Sequence, residues 1–497
     1  MSLARNTGVN LASSVLLVGV ALVSVPLYIE LVGLERYGVL SICWLLLGYL
    51  GLFDLGLGRA VTQGIAALPP GHSPEANPDP IFWTGLFASV ALALVAFAVA
   101  LPAGYLALRS IDFTDPALAD EARRAVPLIA CAVPVNIVAG VCTGALIGRS
   151  RFGVIGLIDT ASSLAATAAP LVVAALGSSD LPALVAASLV ARALSGLCAA
   201  LAARRLVPIG PVRRPSRALL RRMLSFGGWV SLSNTVGPIL SMWDRFVIGV
   251  MLGPRAVSVY VIPFQAVTRL LMAPEALHRA LFPRLSGMDQ DDAAKLCSVS
   301  VGALSLLMTP AVLAALLAIH PFFELWIGPA LALEAARIAY LLVPGIWANA
   351  LALVAFALLH AQRRASASAL LHLAEVVPYV VLLWLAIRWF GVAGAAALWS
   401  LRTVVDAWVM FRISSAGVAP VAGNLGPFAA VLSASAAAVL LPPGGGAQVA
   451  ALLAALALGS ALAYRATPPE ALALLRVLAE GVRGRLAARP LRARGSS

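Results

Sequence analysis

Fourteen apolar runs, each closed by charge, proline or glycine, follow one another at 9–32, 38–66, 81–108, 125–148, 152–176, 182–203, 224–252, 256–285, 297–320, 336–359, 366–388, 391–412, 424–443 and 446–464. At 1.5 Å per helical residue each is long enough to cross a hydrocarbon layer of roughly 30 Å. Such a chain cannot be a water-soluble domain. Of its 497 residues 61% are hydrophobic and only 11% charged, against about 25% charged in ordinary globular chains. Lipid admits only helices and closed barrels as spanning structures, and runs of this length select helices. The fold class expected is an all-α integral membrane protein of about 14 transmembrane helices.

The first run is longer than a signal-peptide core and lacks a small-residue cleavage pattern, so it reads as a retained span. Cys43, Cys131, Cys142, Cys198 and Cys297 lie in apolar stretches without CxxC spacing or a histidine-rich segment. They read as small hydrophobes, with neither metal nor disulfide work. No Walker loop, HExxH or GxSxG occurs, and Gly56 with Gly58 falls inside a run where no dinucleotide-binding turn forms. Asp289, Asp291 and Asp292 read as a helix start. The longest outer loop, near Arg109 to Arg124, is too short for a polymerase or ligase domain. The chain is therefore expected to be no enzyme and to need no cofactor or metal.

Counting alternate loops together with both termini puts 24 of the 35 basic residues on one side and 7 on the other, with Arg192, Arg245, Arg269 and Arg402 inside runs. Positive loops stay in the cytoplasm, so both termini are expected to be cytoplasmic, in the inner membrane. The net charge of +13 is then mostly topological, and no nucleic-acid partner is implied. Two basic segments stand out. The loop Arg204 to Arg222 holds seven arginines and no acid. The tail from Pro468 sets Leu475, Leu478, Val482 and Leu486 at helical spacing beside Arg476, Arg483, Arg485 and Arg489, as a helix lying on anionic lipid would. Each segment also reads as an orientation signal alone.

The halves repeat. LVGLERYGVL (31–40) after the first run corresponds to MLGPRAVSVY (251–260) after the seventh, Asp54 with Arg59 to Glu275 with Arg279, and Arg192 to Arg402. Six helices repeated keep both copies in one orientation, related by an axis along the membrane normal and enclosing a central cavity, an architecture suited to alternating access. The expected organisation is a six-helix lobe at 1–205, a basic linker at 206–222, a second six-helix lobe at 223–413, an additional helix pair at 414–466 and a basic tail at 467–497.

An arginine at the bilayer centre costs about 2.5 to 3.5 kcal/mol on insertion scales, so each needs a partner or a ligand. Arg402 has Asp406 one helical turn away and Arg279 has Glu275, close enough to neutralise within one helix. Arg192, Arg245 and Arg269 lack a local anion, since Asp244 beside Arg245 does not share its helix face. Either these arginines pair with Asp54, Asp159 or Glu375 on other helices, or Arg192, Arg245, Arg269 and Arg402 line a cationic cavity for a phosphate or pyrophosphate headgroup. Asp54, Asp244, Glu275 and Asp406, with Asp159, Glu375, His278 and His372, are candidates for proton or Na⁺ coupling or for pairing with arginine.

The stretch Asn6, Pro26, Tyr28, Gly33, Glu35, Tyr37, Gly38, Tyr49, Asp54, Leu55, Gly56 and Gly58 resembles the opening of Wzx-type polysaccharide-biosynthesis flippases. These belong to the multidrug/oligosaccharidyl-lipid/polysaccharide (MOP) exporter superfamily. Trp229, Asn234, Asp244, Arg245, Gly253, Tyr260, Phe282 and Pro283 are similar to its seventh and eighth helices. The resemblance implies a carrier of polyprenyl-pyrophosphate-linked oligosaccharide for cell-surface polysaccharide assembly. Its partners would be that glycan, membrane lipids, a coupling ion and the glycan polymerase machinery. From the matched motif only Arg245 with Asp244 carries over to a role. Many relatives have twelve helices, and Ser258 stands where they often have glycine. The rival readings are an ion-coupled drug or metabolite antiporter, which would favour buried acids over arginine, and a flippase for the peptidoglycan precursor lipid II.

Overall fold

A computed structural model of the chain describes residues 3–49, 54–69 and 77–473. The amphipathic tail expected beyond Pro468 lies mostly past residue 473 and so outside the described residues. The side chains of Asn6, Tyr49, Trp229 and Asn234 lie outside them too. Among the described residues the regular structure is entirely helical, because hydrocarbon leaves no solvent partner for a backbone amide and each helix satisfies its own.

The elements are α1 (Leu3–Val32), α2 (Leu34–Tyr49), α3 (Leu57–Ala66), α4 (Asp79–Arg109), α5 (Pro116–Gly148), α6 (Phe152–Ala175), α7 (Leu181–Leu206), α8 (Arg217–Thr268), α9 (Met272–Leu285), α10 (Gln290–Ile327), α11 (Pro329–Ala361), α12 (Ala365–Ile413), α13 (Ala419–Ala422), α14 (Leu425–Leu440) and α15 (Gly446–Ala466). Nine helical segments among them are long and apolar enough to cross a membrane, and Leu16–Val32 and Leu425–Leu440 are shorter apolar helices. Each of the fourteen runs is mainly helical over its described residues, the eleventh and twelfth together inside α12 and the seventh with the first part of the eighth inside α8. At 49 residues α12 would extend about 74 Å if straight, more than twice a bilayer core. It folds back at Gly391 (φ 60°), as α8 breaks at Gly253 (φ 81°). Only glycine takes this region without a Cβ clash.

The second run is not one helix. It ends as α2 and resumes as α3, with Leu55 and Gly56 at positive φ between them, so Asp54 caps a helix start. The eighth run has its own interruption, a 3-10 turn over Arg269–Leu271 ahead of α9. The outer loop expected between Arg109 and Arg124 shrinks to residues 110–115, because α4 and α5 extend past the apolar runs. Asp289 caps α10, with Asp291 and Asp292 in its first turn. The cysteines are free, and Cys198 is exposed rather than in a core.

By internal packing the chain divides into two compact units, residues 1–261 and 262–497, so the described part of α8 as far as Val261 packs with the first. In that unit small residues let helices approach backbone to backbone. A Cβ on Gly144 of α5 would lie 2.3 Å from the carbonyl oxygen of Gly58 on α3. The two copies of the repeated motif also meet there. Gly33 and Gly253 both take positive φ, the buried Ser258 hydroxyl donates to the Leu34 carbonyl at 2.6 Å, and a Cβ on Gly38 would sit 2.0 Å from the Pro254 oxygen. The serine that replaces the usual glycine thus ties the two turns. In the second unit α11 is the most enclosed of the long helices, with Trp347 donating to Thr309 of α10 at 3.0 Å.

Gly38→Leu should lower the apparent melting temperature of the purified protein, reflecting the overpacking cost of about 1–3 kcal/mol. Gly19→Leu, whose added carbon meets nothing within 4 Å, should not. Thermal unfolding in detergent, monitored by size-exclusion recovery, separates the two.

Candidate functional site

Four helices of the first unit, α3, α5, α6 and α7, enclose a polar cavity of about 360 Å³. Its charged lining is Asp54, Arg59, Asp159 and Arg192, with Thr62, Asn136 and Thr143 adding neutral polar groups. The break between α2 and α3 holds Asp54 at its edge: the Gly56 and Gly58 amides donate to its carboxylate at 2.7 and 3.1 Å. Thr62 donates to the carbonyls of Gly58 at 3.0 Å and Gly144 at 3.1 Å, locking α3 to α5. Arg192 projects from α7, and its Nε is buried without a hydrogen-bond partner among the described residues. A half-buried guanidinium with an unused donor is poised for an oxyanion, which it can grip with two parallel hydrogen bonds. The sequence brings Arg192, Asp54 and Asp159 here as candidates. Arg59 was counted toward orientation, although its place five residues after Asp54 in an apolar run was the signal available.

The remaining expected residues go elsewhere. Asp244 is fully buried, accepting hydrogen bonds from the Tyr260 hydroxyl and the Arg245 amide, so it clamps the two sides of the Gly253 break. Arg245 is an electrostatic neighbour of the buried Tyr37 and does not line the α3–α7 cavity. Arg269 lies exposed in the 3-10 turn. Glu275 reaches Arg279 at 4.0 Å, the local pair expected, with both side chains exposed.

Arg402 corrects the sequence reading. Its partner is not Asp406 but Glu375, at 3.1 Å from the other arm of α12, and its guanidinium lies over the Tyr379 ring at 5.2 Å. Asp406 instead faces His372 at 3.5 Å. The fold-back at Gly391 sets the two arms side by side, and a carboxylate 27 residues away wins over one four residues away. Two acids thus stand against one arginine and one histidine, with Glu375 Oε1 and Asp406 Oδ1 buried and without hydrogen-bond partners among the described residues.

At the α2 start Arg36 makes a two-pronged pair with Glu121 of α5, at 2.6 and 2.9 Å, and Glu121 also accepts the Leu181 amide of α7. Hydrogen bonding to Glu121 pushes the Arg36 guanidinium above its usual pKa. This strap joins three helices at one end of the unit and marks the end of the spans. A second cavity of about 400 Å³ between α2, α4 and α5 is lined by aliphatic side chains with Gly104, Cys43 and Phe246, and offers no charged handle.

A family model described as "Polysaccharide biosynthesis protein" matches residues 3–289, and the chain belongs to that family. A protein named "Putative O-antigen transporter" from Shigella flexneri is 29% identical over 423 residues, 84% of this chain and 99% of the relative. Among solved structures, the lipid II flippase MurJ in an inward closed conformation aligns with a TM-score of 0.68 at 10% identity, over 92% of this chain and 98% of that one. An inward-facing multidrug resistance MATE family transporter of the MOP superfamily aligns at 0.60 and 15% identity, over 79% of this chain and 92% of that one. At such identities the likeness is one of fold, and the fold is that of this transporter superfamily.

Arg402→Gln should leave Glu375 uncompensated in a dry site, where breaking a buried pair costs about 3–5 kcal/mol. The double variant Arg402→Gln/Glu375→Gln should recover most of the loss, while Arg402→Gln/Asp406→Asn should not. Melting temperatures of the four proteins in one detergent decide which acid is the partner.

Proposed function

We propose that this member of the polysaccharide biosynthesis protein family is a flippase moving polyprenyl-pyrophosphate-linked oligosaccharide across the cytoplasmic membrane by alternating access, for assembly of a cell-surface polysaccharide. The observation that carries the reading is Arg192, an arginine in a polar cavity of a membrane-spanning unit whose buried Nε has no hydrogen-bond partner among the described residues. An anion is the ligand such a group suits, and the relative named as an O-antigen transporter fits the same substrate class. No step of this work needs covalent chemistry, so the protein is read as a carrier and not an enzyme. The orientation follows from the arginine bias of the loops, with both termini in the cytoplasm.

The lobes that alternate are taken as 1–205 and 223–413, joined by the linker 206–222 and followed by the pair 414–466. The Ser258–Leu34 hydrogen bond and the Gly38–Pro254 approach would then seal one side of the membrane and must part in every cycle. For coupling, Asp406 with His372 is the proposed site, because Asp54, Asp244 and Glu275 are already held by backbone amides, Tyr260 and Arg279.

Deleting the gene should trap lipid-linked glycan on the cytoplasmic leaflet, as read by a probe that cannot cross the membrane, and the intact gene should reverse this. Arg192→Ala should lower rescue roughly tenfold or more at equal membrane abundance, since a charge-assisted hydrogen bond contributes about 1.5–3 kcal/mol, whereas Arg269→Ala, at an exposed position outside the cavity, should not. Arg192→Lys should rescue only in part, because lysine lacks the planar fork. Unchanged glycan lipids in the deletion strain would favour the antiporter reading. Joining Leu34→Cys to Ser258→Cys with a short thiol cross-linker, in a chain whose native cysteines are replaced by alanine, should stop transport, and cleaving the linker should restore it.

A further inference from the structure

The loop between α7 and α8 is more ordered than an orientation signal requires. Asp79, the first residue of α4, is 4% exposed. Its carboxylate accepts the Gly210 amide at 2.6 Å and lies 3.6 Å from Arg213. Trp83 donates to the Gly210 carbonyl at 3.3 Å, and Thr84 accepts the Ser216 amide at 3.2 Å. Three side chains at the start of α4 thus fasten residues 210–216, and the loop leads straight into α8. A positive loop sets topology during insertion through its charge count, before any such geometry exists.

The fastened segment carries Arg213 and Arg214, and the helix ends on either side of it carry Arg204, Arg205, Arg217, Arg221 and Arg222, all seven exposed and with no acid among residues 204–222. Among the described residues only Arg213 of these seven touches a carboxylate. Three of the arginines occupy the first turn and a half of α8, which has no acidic residue in its first turn. That placement opposes the helix dipole, whose positive end favours anions, and it sets Arg217 and Arg221 one turn apart on one face, where like charges repel. An anion bound across this end would relieve both penalties by setting negative charge beside three guanidinium groups and the helix start, where the Ser216 hydroxyl already caps the Leu219 amide at 3.4 Å.

We propose that this ledge is a docking site for a lipid-linked pyrophosphate, which it holds at the membrane surface before the headgroup enters the cavity of the first unit. The proposal rests on the flippase reading for the identity of the lipid. A fixed cluster suits a compact anion with several charges on two adjacent phosphorus atoms, whereas a diffuse monoanionic leaflet is satisfied by an untethered basic loop. The strap at Asp79 is then a positioning device, and the arginines are the binding groups.

The test is equilibrium binding of a polyprenyl pyrophosphate to the purified full-length protein in detergent, with Arg192→Gln as background so that the cavity contributes less. Arg214→Gln/Arg217→Gln/Arg221→Gln/Arg222→Gln should weaken binding by at least about tenfold, as expected for losing several charge-assisted contacts. The same four positions as lysine should bind at an intermediate level, and this variant keeps the charge should the glutamine variant misfold. Asp79→Asn, which removes no arginine, should also weaken binding. Phosphatidylglycerol at equal charge should fail to compete. Wild-type binding by the folded glutamine variant, or competition by phosphatidylglycerol as strong as that of the pyrophosphate, overturns the proposal. Binding is read here without transport, so a failure of the flippase reading shows in the leaflet assay of the deletion strain and not in this one.

Discussion

Hydrocarbon cannot hydrogen-bond to a peptide group, and the described architecture follows from that constraint. Each run must close its own backbone ladder, so the chain departs from helix only where something else satisfies the freed groups. At the end of the second run the Asp54 carboxylate takes the Gly56 and Gly58 amides. At Gly253 the chain turns with an αL-side φ while Ser258 fastens the far side of the turn to Leu34. The functional geometry sits at these departures because a continuous helix presents only side chains, whereas a broken one also aims its terminal amides and lets two faces meet.

The same solvent governs the charges. A guanidinium that finds a carboxylate across a tight fold-back becomes a structural rivet, as Arg402 does with Glu375 and Arg36 with Glu121. One that opens into a polar cavity without a matched oxygen keeps its binding capacity, as Arg192 does. Residue type and depth are alike for Arg192 and Arg402, so what separates binding from bracing is the neighbouring helix.

That distinction explains what the sequence could and could not disclose. Helix count and the glycine breaks were legible, because apolar length and the LVG and MLG motifs are local signals, and Gly33 and Gly253 do share a positive φ. The interruption before Leu57 was hidden, since apolar residues continue through it and hydropathy does not register an Asx-type cap. Arg192 and Asp54 emerged as candidates from burial cost alone. The pairing of Arg402 was misread because spacing within one helix is visible in a sequence, while the contact of the two α12 arms depends on the angle at which Gly391 folds them. Glu375 entered as one interhelical partner for Arg192, Arg245 or Arg269 rather than for Arg402, His372 entered only as a general titratable group for the same reason, and Arg59 was hidden by its use as a topology marker.

The repeat makes the divergence of the halves informative. Arg192 and Arg402 occupy corresponding places in the sequence, yet the first faces a cavity that also holds Asp54, Asp159 and Arg59, and the second is closed off by Glu375 and Tyr379. Duplication supplies two copies of one buried cation, and each copy must still be neutralised or used. The second unit pairs its arginine with Glu375 and sets Asp406 beside His372. In the first unit the Nε of Arg192 has no hydrogen-bond partner among the described residues. What separates the two corresponding positions is therefore the placement of one acid, Glu375, within reach of Arg402.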